Sequence, residues 1–149
     1  MDPRPLPHPT LFRLGLAGLG LIQLTDGLYA LLAPRSFFDD FPLGRGWVEA
    51  LPAYNPHLLA DVGALFIATG ALMLMAAYWL ERRLVLAALV TWLLFAVPHL
   101  VYHLGNLGPY DTADTVGNVV TLGMTVLIPV ALLAILVRPA KGPRGARGA

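Results

Sequence analysis

Four stretches of predominantly apolar residues, roughly Thr10 to Ala33, His57 to Leu80, Leu84 to Gly105 and Thr115 to Val137, occupy most of a 149-residue chain. A helix needs about 20 such residues to cross a bilayer's hydrocarbon core, and each stretch meets that length. Lipid offers no partner for an exposed backbone amide, so a segment of this kind spans only as a helix or within a closed barrel. Continuous apolar runs without strict alternation select the helix. The expected fold is therefore all-α: a four-transmembrane-helix, up-down antiparallel bundle forming a single membrane domain. Charged residues make up 13% of the sequence, against roughly 25% in soluble domains, and the mean hydropathy is +0.68. Pro34, Pro56, Pro109 and Pro139 bracket the spans where helices start or stop. The apolar part of the first span exceeds the roughly 7 to 15 residues of a signal peptide, so it is predicted to be retained.

Lys and Arg collect on cytoplasmic flanks. Arg4, Arg82, Arg83, Arg138, Lys141, Arg144 and Arg147 fall on one side of a four-span topology, and only Arg35 and Arg45 on the other. Both termini are thus predicted cytoplasmic, with an external loop at 34–56 and a disordered basic tail at 138–149. The tail's Gly and Pro content beside a span suits anionic headgroups better than nucleic acid, so no nucleic-acid partner is expected. The chain has no cysteine, which excludes disulfides, thiolate metal sites and cysteine nucleophiles. Ser36 is the only serine, leaving little for a serine hydrolase.

About four residues join the second and third spans, which predicts an antiparallel hairpin of those two helices. The 34–56 loop carries Phe37, Phe38, Phe41, Trp47 and Tyr54, suited either to a lid over the bundle or to an interfacial anchor. Gly15, Gly18, Gly20, Gly63, Ala64 and Gly70 permit close helix contact. Pro98 and Pro129 lie inside spans and withdraw hydrogen bonds from the carbonyls of Leu94 and Thr125. Met73 and Met75 are expected to fill gaps in the core, and Arg13 to snorkel to the interface.

The polar residues of the spans share the outer half of the bundle. At 1.5 Å per residue, Asp26 lies roughly 10 Å below the external surface, His99 roughly 9 Å, His103 roughly 3 Å and Asp61 about 6 Å, with His57 at the surface. Gln23 sits a turn beneath Asp26, and Asp114, Asn118, Thr121 and Thr125 form a stripe descending from the same surface. All four helices bring polar groups to the outer half, while the inner half is nearly all Leu, Val, Ala and Met. His57 with Asp61 and His99 with His103 are i, i+4 pairs, each on one helix face. Imidazole and carboxylate suit a divalent metal, Zn, Fe or Mn, held by His57, Asp61, His99 and His103 with Asp26, Asp114 and Asn118 in support. Haem with one histidine from each of the second and third spans is a further candidate. Metal-free proton transfer on a lipid-like substrate is another. The non-enzymatic alternative is an accessory or structural subunit whose cluster is an interhelical hydrogen-bond network. The expected partners are membrane lipid, a lipid-like or small-molecule ligand, and a second copy or another membrane subunit.

The stretches FFDDFP (Phe37 to Pro42), YNPHLLADVGAL (Tyr54 to Leu65), PHLVYHL (Pro98 to Leu104) and DTADTVGN (Asp111 to Asn118) resemble an uncharacterised group of bacterial four-span membrane proteins. The resemblance runs from about Leu11 to Leu136, and in architecture that group is similar to the DoxX-like class of small four-helix membrane proteins. It implies a fold and a place in the bacterial cytoplasmic membrane, and it implies no activity.

Overall fold

The computed structural model describes residues 6–51 and 53–138. Arg4, Pro139, Lys141, Arg144, Arg147 and the basic tail beyond Arg138 lie outside the described residues. The elements are α1 (Pro9–Leu32), α2 (Pro34–Asp40), α3 (Pro56–Trp79), α4 (Arg82–Leu104) and α5 (Thr112–Val137). Four of them, α1, α3, α4 and α5, are long and apolar enough to cross a membrane. They run up and down as an antiparallel bundle, and the protein is a multi-pass integral membrane protein. One end of the bundle carries the start of α1, the end of α5 and the α3–α4 turn and is the terminal end; the other carries the longer connections and is the loop end.

Proline starts α1, α2 and α3, since its missing N–H costs nothing in a first turn. Asn55 caps α3 by accepting from the Leu58 amide at 3.1 Å, and Asp111 caps α5 by accepting from the Asp114 amide at 2.7 Å. The stretch expected to be loop begins with α2, because Pro34 both ends α1 and serves as the first residue of the next helix.

The bundle is built as two helix pairs. α1 and α3 are zipped by glycines facing across the contact: a Cβ on Gly27 would stand 2.7 Å from the Gly63 carbonyl oxygen, and one on Gly63 would stand 2.9 Å from that of Gly27. Gly20 and Gly70 repeat the arrangement seven residues away, at 3.0 and 2.9 Å. Removing side chains at these points lets the backbones touch and maximises dispersion, which drives helix association where lipid is as apolar as the core. Gly15 instead faces Leu132 of α5, and Gly18 meets nothing within 4 Å. The predicted α3–α4 hairpin is present, but α1 is the closer partner of α3. The reason is bulk: α3 meets α4 through Phe66 against Trp92 and Phe95, with ring centroids 6.0 and 5.2 Å apart.

The second pair, α4 and α5, is joined at a proline. Pro129 has no N–H for the Thr125 carbonyl, and the Trp92 indole donates to that carbonyl at 2.8 Å. Trp92→Phe should therefore lower stability by roughly 1–3 kcal/mol while keeping the aromatic packing, because the carbonyl loses its donor. Adding Pro129→Ala restores the helical bond and should recover most of that loss in a thermal melt; no recovery would refute the pairing.

The two pairs meet at the terminal end, where Phe12, Leu16, Met73, Ala76, Val85, Leu89, Leu132 and Leu136 form the buried core. Met73 fills that core as expected, whereas Met75 is exposed. Arg13 reaches sideways and donates to the Ala77 carbonyl at 3.2 Å, and Arg82 donates to the Leu136 carbonyl. Each arginine thus satisfies an orphan carbonyl in the last turn of a neighbouring helix.

Candidate functional site

Toward the loop end the pairs enclose a cavity of about 820 Å³, within the 300–1,000 Å³ range of small-molecule sites. All four long helices and the segment after α2 line it. α3 contributes only apolar groups, Leu59, Val62 and Phe66, and Trp92 and Phe95 of α4 add aromatic wall. Ile22 of α1 and Val120 and Met124 of α5 line it while keeping about half their surface exposed, at 53%, 56% and 48%.

Polar groups enter this apolar space as a belt. Asp26, His99 and Asn118 lie about 8–9 Å from the loop-end termini of their helices, with His103 roughly one turn nearer the mouth and Gln23 roughly one turn deeper. The His99 ring stacks on Phe95 at 5.0 Å and meets the His103 ring edge-on at 4.6 Å. His103 in turn meets the Asn118 side chain. Several atoms of the belt are buried without a hydrogen-bond partner: both amide atoms of Gln23, Nδ1 of His103 and Oδ1 of Asn118. Gln23 is 2% exposed and Asn118 1%. The threonines do not help them, because Thr121 and Thr125 bond back to carbonyls of their own helix.

His57 and Asp61 are placed elsewhere, and this corrects the four-ligand set. Their side chains are 85% and 63% exposed, pair with each other at 3.4 Å, and do not line the cavity. The glycine zipper is the cause. Gly63 is two residues from Asp61, about 200° around the helix, so seating Gly63 against α1 turns Asp61 outward. A haem held between His57 and a histidine of α4 meets the same obstacle. Among the described residues, no three histidine or carboxylate side chains gather closely enough to hold a metal ion. Of the expected ligands, the structure brings together His99 and His103, with Asn118 beside them and Asp26 on the same cavity wall.

Asp114, expected in support of the pocket, sits at its rim and ties down the segment that covers it. Its carboxylate accepts from the Arg45 guanidinium and, at 2.7 Å, from the Trp47 indole. Tyr110 adds a bond from its hydroxyl to the Trp47 carbonyl at 2.7 Å. The Trp47 ring lies on Gly117, where a Cβ would stand 2.9 Å from the indole. Phe41, Pro42, Trp47, Val48 and Leu51 line the cavity from this side, so the aromatic loop is a lid. Phe37 stacks on Phe41 at 4.6 Å, anchoring the lid to α2. Trp47 was expected among the aromatics of a lid, whereas Arg45 and Tyr110 are site residues that sequence reasoning did not single out. Their only signal was a cation and an aromatic in connections flanking an acidic helix start.

No family model, curated protein or solved structure matches this chain, so the site is defined by its own geometry.

Proposed function

We propose that this protein binds a lipid-soluble small molecule in the loop-end cavity. One observation carries the reading: the amides of Gln23 and Asn118 are buried, line the same apolar-walled cavity and retain unpaired atoms. Buried polar groups in native proteins are hydrogen-bonded with few exceptions, and each one left unpaired costs about 1–3 kcal/mol. Two such amides on residues that line one cavity make sense if a turn of their side chains lets an occupant complete them. Sites that keep destabilising groups for function are the usual exception to local optimisation.

The alternative, a purely structural hydrogen-bond network in an accessory subunit, predicts that these side chains bond one another across helices. Instead His103 Nδ1 and Asn118 Oδ1 are left without a partner, as are both amide atoms of Gln23. A metal, Zn, Fe or Mn, would now rest on His99 and His103, with its other positions filled by the bound molecule. The same pair could serve to move a proton on that molecule.

Removing the amides separates these readings. Gln23→Met and Asn118→Leu should raise the stability of ligand-stripped protein by roughly 1–3 kcal/mol each and abolish co-purification of a bound molecule seen by native mass spectrometry. A structural network requires the reverse sign, lower stability in both variants. Elemental analysis of the same samples, with His99→Ala as control, reports on the metal.

A further inference from the structure

We infer that the cavity takes an amphiphile whose head is neutral and both donates and accepts hydrogen bonds, a hydroxyl or a carboxamide, on an apolar body. This rests on the binding reading above and adds the ligand's chemical class. The argument is a matching of valences. Gln23 presents a free amide oxygen and a free NH₂, and Asn118 a free oxygen, so the occupant must offer donors and at least one acceptor.

Charged heads fail this test one by one. A carboxylate or phosphate has no proton for the Gln23 and Asn118 oxygens, and it would face Asp26 on the same wall. Arg45, the cation lining the cavity, lies at its mouth and is engaged by Asp114. A quaternary ammonium neither donates nor accepts. A primary ammonium would pair with Asp26 on that wall and still leave the Gln23 NH₂ without an acceptor. A carboxamide supplies two N–H donors and an acceptor without a charge, and a hydroxyl supplies the one donor and the acceptor that complete Gln23. The His103 Nδ1, also unpaired, can accept from the same head.

The apolar body has a place to go. α1 and α5 are the long-helix neighbours with least mutual contact, and they meet through Gly15 and Leu132 near the terminal end. At the level of the cavity the half-exposed Ile22, Val120 and Met124 stand on the two sides of that seam. A chain lying between them joins the surrounding lipid.

The test uses the full chain with Trp79→Phe, which removes an exposed tryptophan and leaves Trp47 and Trp92 on the cavity wall as reporters. In phosphatidylcholine nanodiscs, their quenching by 6-bromododecanol, whose bromine stays near the cavity, is compared with that by 6-bromododecanoic acid and 6-bromododecyl trimethylammonium. The alcohol is expected to quench saturably, at a mole fraction roughly ten-fold below the other two. Gln23→Met, which keeps length but loses both hydrogen-bonding functions, should erase that advantage, and Asn118→Leu should reduce it independently. Tighter quenching by the acid or the ammonium, or equal quenching by all three that ignores both variants, overturns the ligand class while leaving the cavity a binding site. If none of the probes quenches saturably, the binding reading falls and this inference with it.

Discussion

Replacing Gly27 or Gly63 with valine is expected to cripple the fold. At either position the new Cβ meets backbone, the Gly63 oxygen and Ile67 nitrogen in one case and the Gly27 oxygen and Leu31 nitrogen in the other, all at 2.7–2.9 Å. Backbone in a spanning helix cannot rotate away as a side chain can, so α1 and α3 must separate along their length. Overpacking typically costs 1–3 kcal/mol and more where nothing yields, so on the order of 3 kcal/mol is expected here. For a chain of this size that is a fall of roughly 10 °C in melting temperature, or loss of folded protein on expression. Gly18→Ala and Gly123→Ala are the matched controls. Neither Cβ meets anything within 4 Å, and removing a helical glycine should be neutral or stabilising by up to about 1 kcal/mol. Equal damage at all four positions would refute the α1–α3 contact as the cause, since alanine at the control positions improves on glycine in helix propensity.

Cutting the latch should open the lid without unfolding the bundle. Asp114→Ala removes the acceptor shared by Arg45 and Trp47, and among the described residues no other acceptor holds the Trp47 indole N–H. The peptide bond after Arg45 lies in this segment, so trypsin reads the opening directly. Cleavage there is expected to rise about ten-fold or more, while the melting of the helices changes little. Tyr110 supplies a second, pH-dependent tie. Burial pushes its phenol up from the ordinary value, followed in effect by the neighbouring Tyr102 and Asp114. With a folded value above the unfolded one, this group's contribution is complete below the unfolded tyrosine value near 10 and is lost as pH rises through the folded one. Lid opening in the wild type should therefore accelerate only at strongly alkaline pH, and Tyr110→Phe should remove that step. A lid equally protected in Asp114→Ala would mean that aromatic packing from Phe37 and Phe41 alone keeps it shut.

How far the site was readable beforehand depends on which coordinate is asked for. Depth was legible. The rise of a helix is constant, so Asp26 and His99 could be assigned to nearly one level from their distance to the span ends, with Asn118 on a stripe descending from the same surface, and the three share a cavity wall. Rotation was not. Asp61 was likewise placed in the outer half, and it faces outward because Gly63 and Gly70 take the inner face of α3. Gly27, where a Cβ would stand 2.7 Å from backbone, was not among the glycines picked out for close contact, whereas Gly18, which was, touches nothing. The Pro129 gap could be located at the Thr125 carbonyl, but the Trp92 indole that fills it comes from another helix.

From the sequence alone came the number of spanning helices, their alternation, their approximate ends and the polar character of one half. These are properties of each segment against its solvent, and a bilayer selects on length and composition. The face each helix turns inward, the division into two pairs, the cavity between them and the lid held by Asp114 were decided by tertiary structure. In water a helix advertises its buried face by contrast with a polar one. In lipid the surroundings are as apolar as the core, so only the fit of glycine against glycine and of donor against freed carbonyl decides which residues face each other.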